Sequence, residues 1–259
     1  MIRYWKKDGA SLSAVDGPGK GVWVDVRNAS RADLDTLERD YKLLPEHLQD
    51  LLDTDERSRI EKEDDYTMII LRLPMYDPSF EVEYYTAPVG IILLKDRVLT
   101  VCAGDSEVLQ DLAMGRVKNL SMDNKSAFVL HVLGRAAIVY LRYLKDLNRR
   151  TAAVERELQR SVKNNELVQL LAISNSLVFF TTSLRSDELV LEKLQKSGIV
   201  RFKEDENELL EDVVTDFRQA IDMSNIYSAI LSGMMDAYAS IISNNLNIVM
   251  KRLTIVSIV

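Results

Sequence analysis

After Pro88 the chain contains no further proline, and between Glu204 and Val259 its only glycine is Gly233. Proline breaks the hydrogen-bond ladder of a helix interior and glycine weakens it. Nothing in this last stretch therefore stops one continuous helix, which at 1.5 Å per residue would run about 80 Å. That exceeds the helices of ordinary globular domains, so it reads as a stalk packed against other helices. Val214, Ile221, Ser228, Met235, Ile242, Val249 and Val256 form a seven-residue series that is apolar except for Ser228. The companion series Leu210, Phe217, Ser224, Leu231, Tyr238, Asn245 and Arg252 begins apolar and turns polar, which predicts a packing seam that changes along the rod.

Upstream, apolar residues also recur at helical spacing. Phe128, Val132, Ala136, Val139, Tyr143 and Leu147 share one face of a helix expected to run to about Val162. Asn164-Asn165 reads as a turn, and Leu167, Leu170, Leu171, Leu177, Val178 and Leu184 mark a second helix that Gly198 interrupts. The pair forms a long antiparallel hairpin.

The first 120 residues have a different texture. Val22-Trp-Val-Asp-Val26 alternates, and Met68-Ile-Ile-Leu-Arg-Leu73 and Val89-Gly-Ile-Ile-Leu-Leu94 are short apolar runs, as expected of strands in one sheet. Ser30 can cap a helix through Tyr41, and Pro45 can open another that carries Leu48, Leu51 and Leu52 on one side. The predicted fold class is thus α+β or α/β: a mixed sheet with covering helices over residues 1–120, a helical hairpin over 121–202, and a stalk helix over 203–259.

Composition narrows the function classes. Hydrophobic residues make up 47% and charged ones 28% of the 259 residues, well away from the composition of a disordered chain. The formal charge is −7 with the basic residues scattered, which opposes nucleic acid and suits cations. The single cysteine, Cys102, lies in an apolar run and reads as a buried small hydrophobe. No signal core follows Met1, and no unbroken run reaches the roughly 20 apolar residues of a spanning helix. As given, the chain reads as soluble. His47 and His131 are far apart in sequence and have no Cys or His companion at ligand spacing, so a zinc site is not expected and structural roles are favoured for both. Gly17-Pro-Gly-Lys-Gly21 lacks the Ser/Thr and following helix of a phosphate loop and reads as a turn between early strands. No nucleophile and base can be paired by a local motif, and a non-enzyme is expected.

The stalk carries a second stripe. Asp236, Ser240, Ser243, Asn247, Thr254 and Ser257 recur at helical spacing, with Met250 the one apolar member. Lys251 and Arg252 precede an increasingly apolar end, as where a helix leaves a cytoplasmic surface for lipid. A polar stripe continuing into such a helix suits a water-filled path; a soluble helix with a solvated face explains the same pattern.

Ser243-Asn-Asn-Leu-Asn-Ile-Val-Met-Lys-Arg-Leu-Thr-Ile255 resembles the stalk-to-membrane junction of CorA-type magnesium transporters, with support from Met235-Asp-Ala-Tyr238, from residues 66–73, and from the order of elements. The resemblance implies a homopentamer in the inner (plasma) membrane whose cytoplasmic part surrounds five stalks that continue as the first transmembrane helix. It places Asn247, Met250 and Leu253 at a cytoplasmic pore constriction and Asp236 in an acidic ring above it. It also implies Mg2+ as both transported and regulatory ion, sensed between neighbouring protomers by Asp50, in Leu48-Gln-Asp-Leu-Leu52, and Asp212, in Leu210-Glu-Asp-Val213. Mg2+ takes only one or two carboxylates at such a site and keeps much of its water. Gln49 stands where the family often has an acid, and Asp53 is close enough to help.

The family's Gly-Met-Asn tripeptide and both transmembrane helices are not in the chain, and Gly233-Met-Met235 is no substitute. The expectation is a cytoplasmic portion cut off at the start of the first transmembrane helix. By pattern alone, the acidic residues between Glu204 and Asp216 are a solvated helix start, Asp50 is a surface carboxylate, and Met234, Met235 and Met250 are packing residues. Co2+ or Ni2+ transport, the zinc-transporting branch of the superfamily, and a soluble coiled-coil scaffold are the alternatives.

Overall fold

A computed structural model describes residues 1–9, 11–160, 164–200 and 202–258. Seven strands form one sheet: β1 (Ile2–Asp8), β2 (Ser11–Val15), β3 (Val22–Arg27), β4 (Arg59–Lys62), β5 (Tyr66–Tyr76), β6 (Tyr84–Leu94) and β7 (Val98–Cys102). Their order is β2-β1-β3-β7-β6-β5-β4. Every neighbouring pair is antiparallel except β3 and β7, which run parallel with Trp23 opposite Val98. The alternating segment becomes β3, buried along its whole length, and the two apolar runs become β5 and β6. Cys102, in β7, is fully buried, and burial pushes its thiol up to about 12.

Helices cover both faces. On one side lie α1 (Arg31–Tyr41) and α2 (Pro45–Asp50). Ser30 caps α1 as its sequence requires: its Oγ accepts from the Asp33 N–H at 3.2 Å, and the Asp33 carboxylate accepts from the Ser30 N–H at 2.9 Å. Pro45 opens α2, where its missing N–H costs nothing. On the other side lie α3 (Glu107–Ala113), α4 (Lys125–Arg160), α5 (Asn164–Ser197) and α6 (Asn207–Ile258), the last entered through a 3-10 turn over Glu204–Glu206. Strand alternation divides the apolar residues between two cores. Met68 and Ile70 face Leu37, Leu48 and Leu51, whereas Ile69, Leu71 and Leu73 face the long helices with Trp23 and Phe128.

Four details depart from the sequence reading. Leu48 and Leu51 are buried, but α2 ends at Asp50 and Leu52 stays exposed. Asn164 and Asn165 lie inside α5 rather than in a turn, and the expected end of α4 near Val162 falls outside the described residues. Leu170, Leu177 and Leu184 are buried as expected, while Leu171 and Val178 point outward with Val168, Phe179 and Leu189. On α6 the buried seam is the companion series, Phe217, Ser224, Leu231 and Tyr238; of the first series Ile221 is buried with it, whereas Val214, Ser228, Met235 and Ile242 are only half-buried at its flank. Ser224 wins its place by being small: its Oγ lies 2.6 Å from Thr181 Oγ1, so α5 and α6 approach closely and the polar pair satisfies itself.

By average hydropathy two helical segments, Lys125–Leu158 and Asn165–Ser197, are long and apolar enough to cross a bilayer. The first is the central helix of the larger core, with 67% of its apolar window buried; the second has 39% buried, which leaves α5 an apolar outer face.

Candidate functional site

Asp50 is the last residue of α2, where its partly exposed carboxylate meets Arg59 on the edge strand β4. Arg59 Nη2 donates to Asp50 Oδ2 at 2.6 Å and Arg59 Nε to Glu61 Oε1 at 2.5 Å, while Nη1 pairs with Glu56. Burial works against the Arg59 charge, but Glu61, Glu56 and Asp50 outweigh it and hold the guanidinium above its ordinary value. One oxygen of Asp50 is therefore committed within the protomer, and among the described residues Oδ1 has no partner. Gln49 and Asp53 flank this end, the Asp53 N–H donating to the Asp50 carbonyl at 3.1 Å.

The chain around Asp50 is pinned from two directions. Gly90, on β6, lets Leu51 lie directly on the sheet: a Cβ there would sit 2.6 Å from Leu51 Cδ1. Farther on, the Arg72 guanidinium donates to the carbonyls of Thr54 at 2.8 Å, Glu56 at 2.6 Å and Thr86 at 3.0 Å. Ser58 Oγ and the Arg72 N–H both donate to Oδ1 of the fully buried Asp187 on α5, at 2.6 Å and 2.9 Å. The segment between α2 and β4 is irregular, yet its backbone is held by groups of the sheet and of α5.

Asp212 lies in the second turn of α6, exposed and without hydrogen bond or ion pair among the described residues. With Asp216, Arg116, Lys118, His131 and Arg135 it lines a cleft of about 280 Å³ between α4 and α6. Burial first, and then the charge of Asp212, lift the Asp216 carboxyl above the usual carboxylate range. The structure does not bring Asp50 and Asp212 together. α2 packs into the core on one face of the sheet and α6 into the core on the other.

Of the stalk residues, Asp236, Asn247 and Met250 are exposed along the described part of α6, as are Ser240, Ser243 and Thr254. Met250 keeps 57% of its surface open, whereas Met234 and Met235 are half-buried against the larger core. Leu253 belongs to α6, but its side chain and that of Ser257 lie outside the described residues.

One grouping was not legible in the sequence. His47, read there as having no Cys or His companion and no zinc site, meets two carboxylates, Glu61 and Glu63, with one ligand-type atom from each within 4.8 Å of the others. Glu61 and Glu63 are two apart on an extended segment, which is a signal for a shared face, but only the docking of α2 on the sheet edge adds the histidine.

A family model described as "CorA-like Mg2+ transporter protein" matches residues 18–259. A Methanocaldococcus jannaschii protein named cobalt/magnesium transport protein CorA is 27% identical over 245 residues, covering 91% of this chain and 74% of that one. A Thermotoga maritima protein of the same name is 23% identical over 241 residues, covering 91% and 68%. Among solved structures, the complete CorA magnesium transporter from M. jannaschii superposes with a TM-score of 0.84 at 23% identity, over 99% of this chain and 82% of that one. The cytoplasmic domain of ZntB from Vibrio parahaemolyticus gives 0.70 at 11% identity, over 95% and 97%, and shares the fold.

Proposed function

The chain belongs to the CorA-like Mg2+ transporter family, and on that premise we propose that it is the cytoplasmic, ion-sensing part of a homopentameric channel for Mg2+, and for Co2+ or Ni2+, in the inner (plasma) membrane. It divides into an α/β unit over residues 1–120, a helical hairpin over 121–202 and a stalk over 203–259. The work is transport rather than catalysis.

The observation that carries the reading is the placement of the two aspartates. Asp50 offers a carboxylate oxygen at the edge of one layer and Asp212 a carboxylate unpaired among the described residues on the opposite layer, with the sheet lying between them in one protomer. Two copies side by side meet the need, Asp50 of one facing Asp212 of the next. A hydrated Mg2+ between them is held by two carboxylates and its own water. Without the ion the facing charges repel; with it neighbouring protomers are tied together, which favours the symmetric closed state. Because Arg59 already neutralises one side of Asp50, the ion binds weakly and responds to millimolar rather than trace concentrations. Release frees the stalks, and the exposed stripe of Asp236, Asn247 and Met250, with Leu253 in the next turn, lines the ion path where five helices converge.

Millimolar Mg2+ should slow trypsin digestion of the chain or promote its association in sedimentation. Asp50→Asn and Asp212→Asn, which keep shape and remove charge, should each abolish the effect. Undiminished Mg2+ protection in the double variant would sink the sensor assignment.

A further inference from the structure

His47, Glu61 and Glu63 form a second carboxylate grouping of different chemistry from the aspartate pair. His47 reaches it from α2, buried, with Nε2 2.5 Å from Glu61 Oε2 and 3.9 Å from Glu63 Oε1. Its ring is fixed from behind: Nδ1 lies 2.8 Å from Tyr66 Oη, the two rings stand perpendicular, and the Leu44 N–H donates to the same hydroxyl at 3.3 Å. Glu61 is fixed as well, because Arg59 Nε holds its other oxygen, Oε1, at 2.5 Å. Both a histidine nitrogen and a carboxylate oxygen are thus aimed at one spot by outer partners, as in built metal sites.

Glu46, on the same helix as His47, adds a further carboxylate to this end of α2. In the ion-free chain Nε2 is satisfied by Glu61 Oε2; carrying the ring proton on Nδ1, where Tyr66 Oη can accept it, turns the Nε2 lone pair to an incoming cation.

We propose that His47, Glu61 and Glu63 bind a first-row transition dication such as Co2+, Ni2+ or Zn2+, at a site separate from Asp50 and Asp212. Imidazole with two carboxylates suits these ions, whereas Mg2+ prefers oxygen alone. Bonds of about 2.0–2.2 Å to nitrogen and oxygen set ligand atoms roughly 3.3 Å apart. His47 Nε2 and Glu61 Oε2 must then part by a little under about 1 Å, while Glu63, whose side chain is 39% exposed, swings in from the solvent side and leaves an entry path. Water completes the shell. An ion seated here fastens α2 to β4 and, through Arg59, shares a hydrogen-bonded partner with Asp50. The site does not depend on the sensor reading.

The test uses untagged, metal-stripped chain titrated with CoCl2 and followed by visible absorption, with ZnCl2 calorimetry alongside. Saturable binding near one ion per chain is expected, unchanged in the Asp50→Asn/Asp212→Asn variant and resistant to excess MgCl2. His47→Gln should weaken it about tenfold or more, since losing a ligand costs at least what losing an outer partner does. Glu63→Gln, at a side chain open enough to leave folding intact, should weaken it in the same direction. Equal Co2+ affinity in wild type and Glu63→Gln, or displacement of Co2+ by Mg2+ at matching concentrations, overturns the proposal. A loss confined to Asp50→Asn/Asp212→Asn would overturn it while leaving the sensor reading intact.

Discussion

A methyl group added at Gly90 tests how α2, and with it Asp50 and His47, is seated on the sheet. The new Cβ would lie 2.6 and 2.7 Å from the two Leu51 methyls and 3.2 Å from Leu51 Cγ, where ordinary contact begins at 3.4 Å. Leu51 must retreat by about 0.8 Å, and it has no open space to enter, being fully buried in a core that also holds Leu48, Met68, Ile70 and Ile92. Overpacking of this kind costs about 1–3 kcal/mol, and the stiffer unfolded chain returns roughly 0.4–1 kcal/mol. Gly90→Ala should therefore destabilise by about 1–2 kcal/mol, or roughly 2–8 °C in Tm for a chain of this size. Leu51→Ala alone should cost about 2–5 kcal/mol through its cavity. In the double variant the methyl introduced by Gly90→Ala occupies space that Leu51 vacates, so the two losses should fall short of additivity by about 1–2 kcal/mol. Urea unfolding of the four proteins, followed by circular dichroism and by fluorescence of the buried Trp23, measures this cycle. Wild-type stability in Gly90→Ala, or additivity to within roughly 0.5 kcal/mol, would refute the steric argument.

Two other outcomes follow from the clamp between α5 and the sheet. Burial raises the Asp187 carboxyl to about 7, against the opposing pull of the Ser58 hydroxyl, the Arg72 N–H and the Arg72 charge. The folded chain then holds a proton that the unfolded chain releases near pH 4, so this group's stabilisation is present at low pH and is lost as pH rises from about 4 to about 7; Asp187→Asn should flatten that slope in urea midpoints taken at pH 5 and 7.5, and an unchanged slope would show that the proton resides elsewhere. Arg72→Met removes the donors to Thr54, Glu56 and Thr86, which should cost at least about 2 kcal/mol and speed tryptic cleavage after the exposed Arg57, whereas unchanged cleavage would mean that this segment is held by other contacts.

Punctuation made most of the helices legible. Ser30, Pro45 and Gly198 mark boundaries by local chemistry, and the structure keeps each of them, Gly198 with φ of +64°. The strands β5 and β6 were visible as apolar runs because they are buried on both faces, and β3 as an alternating segment although it too is buried on both. β1, β2 and β4 were not, since strands toward a sheet edge carry polar and charged residues and owe their conformation to their partners: β1 reads Ile-Arg-Tyr-Trp-Lys-Lys-Asp and lies between β2 and β3. Apolarity ranks the two α6 series the wrong way round in part, because the series that holds the seam includes a small polar residue, Ser224, which is buried against Thr181. At the candidate sites, Asp50 and Asp212 emerged from family resemblance, but neither the Arg59 partnership nor the His47 cluster could, because both arise where helix α2 crosses strand β4.

The single parallel pair in the sheet bears on how the chain reaches this fold. β4 to β7 form an antiparallel meander of strands adjacent in sequence, and β1 pairs antiparallel with β2 on one side and β3 on the other, all within the first 27 residues. Their union between β3 and β7 must close the whole stretch from Asn28 to Arg97, an entropic cost that delays it relative to the hairpins. Until then Trp23 to Val26 and Val98 to Val101 are open strand edges on nascent sheets, able to pair with the same edges of another chain. Rapid refolding at low protein concentration and self-association at high concentration are the expected signature of an assembly whose midline is its last seam to close.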